Sequence, residues 1–200
     1  MVVPVVADAD TLFGGTTRGL LIHLDYRGLI RLHWSPLILQ EMSRALVDTG
    51  RKSDPAASRR EALMRNALPQ AEVPTADVQS QFKAVAGAMR SVKDIHVAAC
   101  ANVLRVQRYY PNTPLVSLVT KNIRDFGVKK LATLGIEVQH PDAFLLNLLV
   151  RVRLVSPPPS RHCVAHYAPS QYLTNSSKNC VPTAKLQWRP TCWTHGRPVL

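Results

Sequence analysis

Asp8 closes an apolar run, VVPVVA, which is an odd place for a charge that needs only water. In an open parallel sheet ligands bind beyond the carboxyl ends of the strands, so a ligand-binding group belongs where Asp8 stands. Glu41 lies among Leu37, Ile38, Met42 and Ala45, at the edge of the packed face of a helix. Asp94 precedes an Ala-rich helix, where an acid also serves as an ordinary N-terminal helix charge. Asp125 follows a second apolar strand and reads equally well as a loop acid. Taken singly, each has a plain structural explanation. Taken together, on strand ends and adjacent helices, the four are expected to converge on one cleft. Clustered carboxylates raise one another's pKa unless a cation compensates. A site of hard oxygens suits Mg²⁺ or Mn²⁺, and such ions polarise phosphates and activate water for in-line displacement. The chemistry implied is metal-assisted hydrolysis of a phosphodiester.

The elements that must position these acids can be traced along the chain. Residues 2–7 read as a buried strand, because central parallel strands are apolar on both faces. A helix is expected from Thr16 to Tyr26, broken by Gly28, and a short extended segment from Leu29 to Trp34. Ser35-Pro36 is a strong helix start, a hydroxyl N-cap followed by proline at the first helical position. That helix carries Glu41 and ends at Gly50. Residues 51–58 read as a polar loop, 59–67 and 75–89 as helices, and a further helix begins near Val92. Tyr110 to Pro114 reads as a turn, Leu115 to Val119 as the second clear strand, and Lys121 to Phe126 as a loop. A short helix from Val128 to Leu134 closes at Gly135. Ile136 to Gln139 is a strand, and Pro141 opens a last helix reaching about Val150. Strands alternating with helices imply an α/β domain with a mainly parallel sheet.

Composition narrows the function classes. The 200 residues carry a net charge of +12. Residues 143–200 contribute seven Lys or Arg and no acid, hence +7, and residues 1–142 contribute 18 basic and 13 acidic groups, hence +5. A basic chain favours polyanions, RNA or DNA first. MVVPVVADAD has no basic n-region of a secretory leader, and the most apolar late run, Ala143 to Val150, is far shorter than the roughly 20 residues of a membrane span. The expectation is a soluble, cytoplasmic protein with no membrane partner. Cys100 reads as a buried small hydrophobe. After Val155 the SPPPS stretch opens a Pro-rich, basic extension, which is expected to be poorly ordered. The domain limit is therefore set at residues 1–152, with 153–200 as the extension. Cys163-x-x-His166 and Cys192-x-x-His195, with Cys180, supply zinc-ligand types, but the pairs lie far apart and Cys-x-x-His is an uncommon knuckle. Trp188 and Trp193 offer rings on which RNA bases stack.

The same segments carry a family resemblance. VVADADTLF is similar to the opening strand of PIN-domain nucleases, an aliphatic run followed by Asp-x-Asn and a hydrophobic pair. LHWSPLILQEMSRAL resembles the second block of that family, in which Trp-Ser leads to an Ile-Leu-x-Glu helix. KDIHVAACA resembles the third, LVTKNIRDF the fourth, and LGIEVQHPDAFLLNLL the final strand and helix of the subgroup that includes VapC-like toxins. The five blocks follow in order over roughly residues 3–150. Two departures are visible: Asp10 stands where the family more often has Asn, and Ala7 replaces a larger aliphatic.

The resemblance implies a three-layer α/β/α sandwich and an endoribonuclease site. Its acids fall on Asp8, Glu41, Asp94 and Asp125, which would ligate Mg²⁺ or Mn²⁺. Thr120 and Asn122 would orient a metal-bound water or a phosphate, and Asp10 would join the metal site or tighten it from outside. Among the cations near the site in sequence (Arg18, Arg44, Lys121, Arg124, Lys129 and Lys130), Lys121 and Arg124 are the ones expected to hold RNA phosphates. His96 reads as a packed, hydrogen-bonded histidine rather than a general base. The resemblance further implies a toxin restrained by a cognate antitoxin, often in a dimer-based complex. The alternative is a non-catalytic RNA- or protein-binding module on the same fold.

Overall fold

A computed structural model of the chain describes residues 2–107, 109–110 and 115–155, with side chains described to Arg151. Four strands, β1 (Val3–Ala7), β2 (Ile30–His33), β3 (Val116–Val119) and β4 (Ile136–Gln139), form one sheet in the order β2-β1-β3-β4. Every pairing is parallel; Val5 stands opposite Leu32 on one side and Ser117 on the other, and Ser117 opposite Glu137. Central β1 and β3 are almost wholly buried, which explains why they read as continuous apolar runs rather than alternating ones. Helices flank the sheet in a three-layer α/β/α sandwich. Because parallel strands need long crossovers, all four carboxyl ends emerge on one edge.

The helices follow local signals. α1 (Ala9–Phe13) is a single turn too short for periodicity to reveal, and Asp8 caps it by accepting from the Ala9 amide at 2.7 Å. α2 (Gly15–Tyr26) occupies the expected stretch. α3 (Pro36–Asp48) begins as anticipated, with the Ser35 hydroxyl accepting from the Ile38 amide at 3.3 Å. α4 (Asp54–Ala67) starts five residues earlier than expected. Ser53-Asp54-Pro55 repeats the start signal of Ser35-Pro36, and the polar composition of this region hides it. The helix expected over 75–89 is two pieces, α5 (Thr75–Ser80) and α6 (Phe82–Ala86). At the break the Ser80 hydroxyl donates to the Asp77 carbonyl, and the Gln81 amide oxygen accepts from Asn102. These local bonds compete with the helical ladder.

α7 (Ile95–Val106) packs along β1 and β3 and is buried from Val97 to Leu104, with Cys100 in its interior as expected. α8 (Val128–Thr133) packs on β4 and closes through Gly135 at φ +76°. α9 (Pro141–Val155) runs about five residues beyond the expected end and three beyond the expected domain limit, and it buries Phe144 and Leu148. The expected turn at 111–114 and the extension after Val155, with its cysteines, histidines and tryptophans, lie outside the described residues.

One close backbone approach fixes the loop that carries Asp125. Gly127 donates its amide to the Ala88 carbonyl at 2.8 Å, and a Cβ on Gly127 would meet that same oxygen at 2.5 Å. Phe126, fully buried, anchors the other side of the loop. Gly127→Ala is therefore expected to destabilise the fold by about 1–3 kcal/mol, the usual range for overpacking. Urea unfolding measures this, and an unchanged midpoint and slope would show that the two loops separate at no cost.

Candidate active site

The site is built from the end of β1. The Asp8 amide donates to the Val119 carbonyl at 3.0 Å, continuing the β1–β3 ladder by one rung. This places the Asp8 carboxylate, 5% exposed, beside the fully buried Thr120, whose hydroxyl donates to Asp8 Oδ2 at 2.8 Å. The same hydroxyl oxygen accepts from the Asn122 amide at 3.0 Å. Asp10, within the single turn of α1, accepts from the Lys121 amide and the Thr11 hydroxyl, both at 3.0 Å. Burial pushes the Asp8 carboxyl up to about 7. The charge of Asp10 adds to the rise and Glu41 contributes further, while the bonds from Thr120 and Ala9 oppose it. Burial dominates because a carboxylate loses most of its hydration on leaving water.

Asp94 and Asp125 form a second pair. Asp94 sits at the start of α7, and its carboxyl, when protonated, can donate to Asp125, which follows β3 in a single 3₁₀ turn (Ile123–Asp125). Asp94 is pushed up to about 6, by burial first, then by the bond to Asp125 and by the charges of Asp125 and Glu41. The Asn122 side-chain amide donates to Asp125 Oδ2. The Asp125 carbonyl accepts from the Arg90 and Ser91 amides at 2.8 and 3.2 Å. The tripeptide Thr120-Lys121-Asn122 thus touches both pairs, Asp8 and Asp10 on one side and Asp125 on the other.

Glu41 is close enough to both pairs that its charge raises Asp8 and Asp94. It comes from the second turn of α3, and its Oε2 lies 3.1 Å from His96 Nε2. The other ring nitrogen, Nδ1, is 3.0 Å from the Lys93 carbonyl, to which it donates. Burial pulls the His96 pKa down, but the Glu41 carboxylate outweighs it and the net shift is upward. The histidine is packed and hydrogen-bonded, as expected from its place in an apolar helix. Its pairing with Glu41 leaves no trace in the sequence, since the two positions lie 55 residues apart and nothing local links them.

The cations divide. Lys121 lines a groove of about 340 Å³ with Asp10, Phe13 and Glu41. Arg124 is exposed, without an ion pair among the described residues. Arg18, a candidate phosphate contact by its place in the sequence, is instead buried and donates to the Leu12 and Phe13 carbonyls at the end of α1. It caps a helix and is not available to a ligand. Lys130 donates to the Gly87 carbonyl at 2.9 Å. Away from the acids, a cavity of about 600 Å³ contains His33 and Tyr110. His33 is held neutral by burial, its pKa lowered to about 4, with Nδ1 at 3.2 Å from the Ala71 carbonyl and Nε2 at 2.6 Å from the Tyr110 hydroxyl. Both ring nitrogens are satisfied within the protein.

Among the described residues, no three carboxylate, imidazole or thiol groups stand close enough together to hold one metal ion as they are placed. The donor chemistry nevertheless fits a hard divalent cation. The donors are carboxylate oxygens, and burial together with neighbouring carboxylates holds the protons of Asp8 and Asp94 to unusually high pH, a cost that a bound cation would relieve. No family model matches the chain, and no curated protein does. It is similar to the crystal structure of PAE2754 from Pyrobaculum aerophilum, with 18% identity and a TM-score of 0.40 over 75% of this chain and 99% of that one. A likeness at that level says nothing about the site.

The raised Asp8 carboxyl has a consequence for stability. The unfolded chain releases this proton near 3.8 and the folded one near 7. Folding therefore loses stability as pH rises through that interval, and the whole penalty is present above about 7. Without divalent ions, Asp8→Asn is expected to be more stable than wild type at pH 8 and to match it near pH 4. The gain at pH 8 is roughly 1–4 kcal/mol, because a tenfold change in proton affinity between the two states is worth about 1.36 kcal/mol. Urea midpoints across this range check the point; parallel profiles for the two proteins would show that Asp8 carries no such penalty.

Proposed function

We propose that this chain is a divalent-cation-dependent endoribonuclease of the PIN type. The observation that carries the reading is the presence of two carboxyl pairs, Asp8 with Asp10 and Asp94 with Asp125, both reached by the charge of Glu41 and both touched by the segment Thr120 to Asn122. A purely structural role does not account for burying a carboxylate beside two others at a strand end when an apolar or amide side chain would avoid the penalty. The same point weighs against the non-catalytic binding module, which has no need of that charge.

Each residue has a separate task. Asp8, Glu41, Asp94 and Asp125 would hold Mg²⁺ or Mn²⁺, with Asp10 completing or reinforcing the set. When bound, such an ion supplies positive charge to the phosphate and lowers the pKa of water. Thr120 keeps Asp8 oriented through its hydroxyl, and Asn122 does the same for Asp125 through its side-chain amide. His96 holds Glu41 in place. Lys121 and Arg124 hold phosphates of the RNA on the loop that carries Asp125. We extend the reading to a cytoplasmic toxin restrained by an antitoxin, with a homodimer as its assembly. No helix among the described residues is long and apolar enough to cross a membrane.

Purified protein is expected to cleave single-stranded RNA with Mg²⁺ or Mn²⁺, to stop in EDTA, and to recover when the ion is restored. Asp8→Asn and Asp94→Asn should leave no measurable turnover. Thr120→Val, which removes only the hydroxyl behind Asp8, should lower the rate by roughly 10–100-fold, as losses of outer-shell partners do. Cleavage that survives EDTA, or wild-type protein that cuts no RNA with either ion, would overturn the reading.

A further inference from the structure

Two grooves meet at Glu41. One, of about 340 Å³, runs past Asp10 and Lys121. The other, of about 430 Å³, lies between α3 and the turn before α7 and is lined by Glu41, Arg44, Phe82, Lys93 and His96 among others. A volume of this size lies in the range of small-ligand pockets, roughly 300–1,000 Å³. The acid cluster itself repels a polyanion, so an RNA strand that reaches it must be held by cations on its flanks.

The surface cations differ in whether they are already engaged. Arg65 pairs with Glu61 and Glu72, Arg31 with Asp25, and Arg51 lies over the Phe13 ring. Arg44 and Lys93 are exposed and have no ion pair among the described residues. Both stand in the second groove. Arg44 is three residues after Glu41, on the same face of α3, and Lys93 directly precedes Asp94. Each of these cations is thus tied by its own backbone to a different acid of the cluster. Phe82 is half-buried and offers part of a ring on which a base can stack without regard to sequence.

We infer that the groove beside Glu41 and His96 is a nucleotide subsite for single-stranded RNA flanking the cut, in which Arg44 and Lys93 hold backbone phosphates. The inference rests on the ribonuclease reading for its ligand, and it adds a second groove at Glu41, distinct from the one that Lys121 lines. A strand that reaches Glu41 can then be held by cations of both grooves, Lys121 in one and Arg44 and Lys93 in the other.

The test is the salt dependence of binding, read on the full chain carrying Asp8→Asn so that RNA stays intact. A fluorescein-labelled single-stranded RNA is titrated with this protein and with the same protein bearing Arg44→Gln and Lys93→Gln, by anisotropy, between about 50 and 200 mM salt. Losing two phosphate contacts should weaken binding and reduce the slope of log K against log salt by about 1.4, at roughly 0.7 per charge for single strands. The matched pair Lys52→Gln and Arg59→Gln removes two exposed cations outside both grooves and should leave the slope unchanged. An unchanged slope in the Arg44 and Lys93 variant, or an equal loss in the control pair, overturns the subsite. If the slope falls as expected while wild-type protein cleaves no RNA, the subsite stands and the nuclease reading falls. If cleavage is metal-dependent and the slope does not move, the subsite falls alone.

Discussion

The parallel pairing of β1 with β3 is the constraint on which the site depends. Ala7 lies opposite Val119, and the next rung, from the Asp8 amide to the Val119 carbonyl, ends the ladder. That rung sets Asp8 against Thr120, a contact across 112 residues of chain. A slip of one residue would turn every side chain of β1 to the other face. Asp8 would leave Thr120, and the α1 cap would be lost with it. Because both strands are buried on both faces, the core enforces the register: Val5, Val6 and Ala7 on one strand, Leu118 and Val119 on the other, are fully excluded from solvent. The precision of the site is inherited from an apolar core that takes no part in its chemistry.

The acids themselves oppose the fold. Asp8 is deprived of water and faces two further carboxylates, and the bonds from Thr120 and Ala9 offset only part of that penalty. Asp94 meets a similar penalty, from burial and from the carboxylates of Asp125 and Glu41. The segment Thr120 to Asn122 touches both pairs through short local bonds. Glu41 differs in being half exposed, and His96 partly balances its charge. Functional sites are where such local conflicts are expected to persist, because the surrounding structure can carry the strain.

Much of this is legible in the sequence, and what escapes it has a common cause. The strands, the Ser35 cap and the burial of Cys100 follow from local pattern, and Glu41 lies near enough to Asp8 and to Asp94 to raise both. The single turn of α1 is shorter than any period that could announce it. The start of α4 is masked by its polar composition, although Ser53 and Pro55 mark it. Other features depend on partners far away in the chain: Glu41 with His96, Asp10 with the Lys121 amide, and Asn102 with the Gln81 that ends α5. Arg18 is the clearest case. It occupies an amphipathic helix as a surface cation would, but the end of α1 leaves two carbonyls unpaired beside it, and the guanidinium turns inward to satisfy them. Residue type reveals what a side chain can do, whereas tertiary pairing decides which of those things it does.

Calorimetric titration with Mn²⁺ decides whether these carboxylates take up a divalent cation, as proposed. Asp8 and Asp94 hold protons up to about 7 and about 6, so part of each population is protonated at pH 6. Carboxylate ligands must be deprotonated to bind, so metal uptake releases protons. Saturable Mn²⁺ binding is expected, with a heat that at pH 6 changes with the ionisation enthalpy of the buffer, shows less of that change at pH 8, and is lost in Asp8→Asn. Absence of binding, or binding that Asp8→Asn leaves intact, would contradict the proposal.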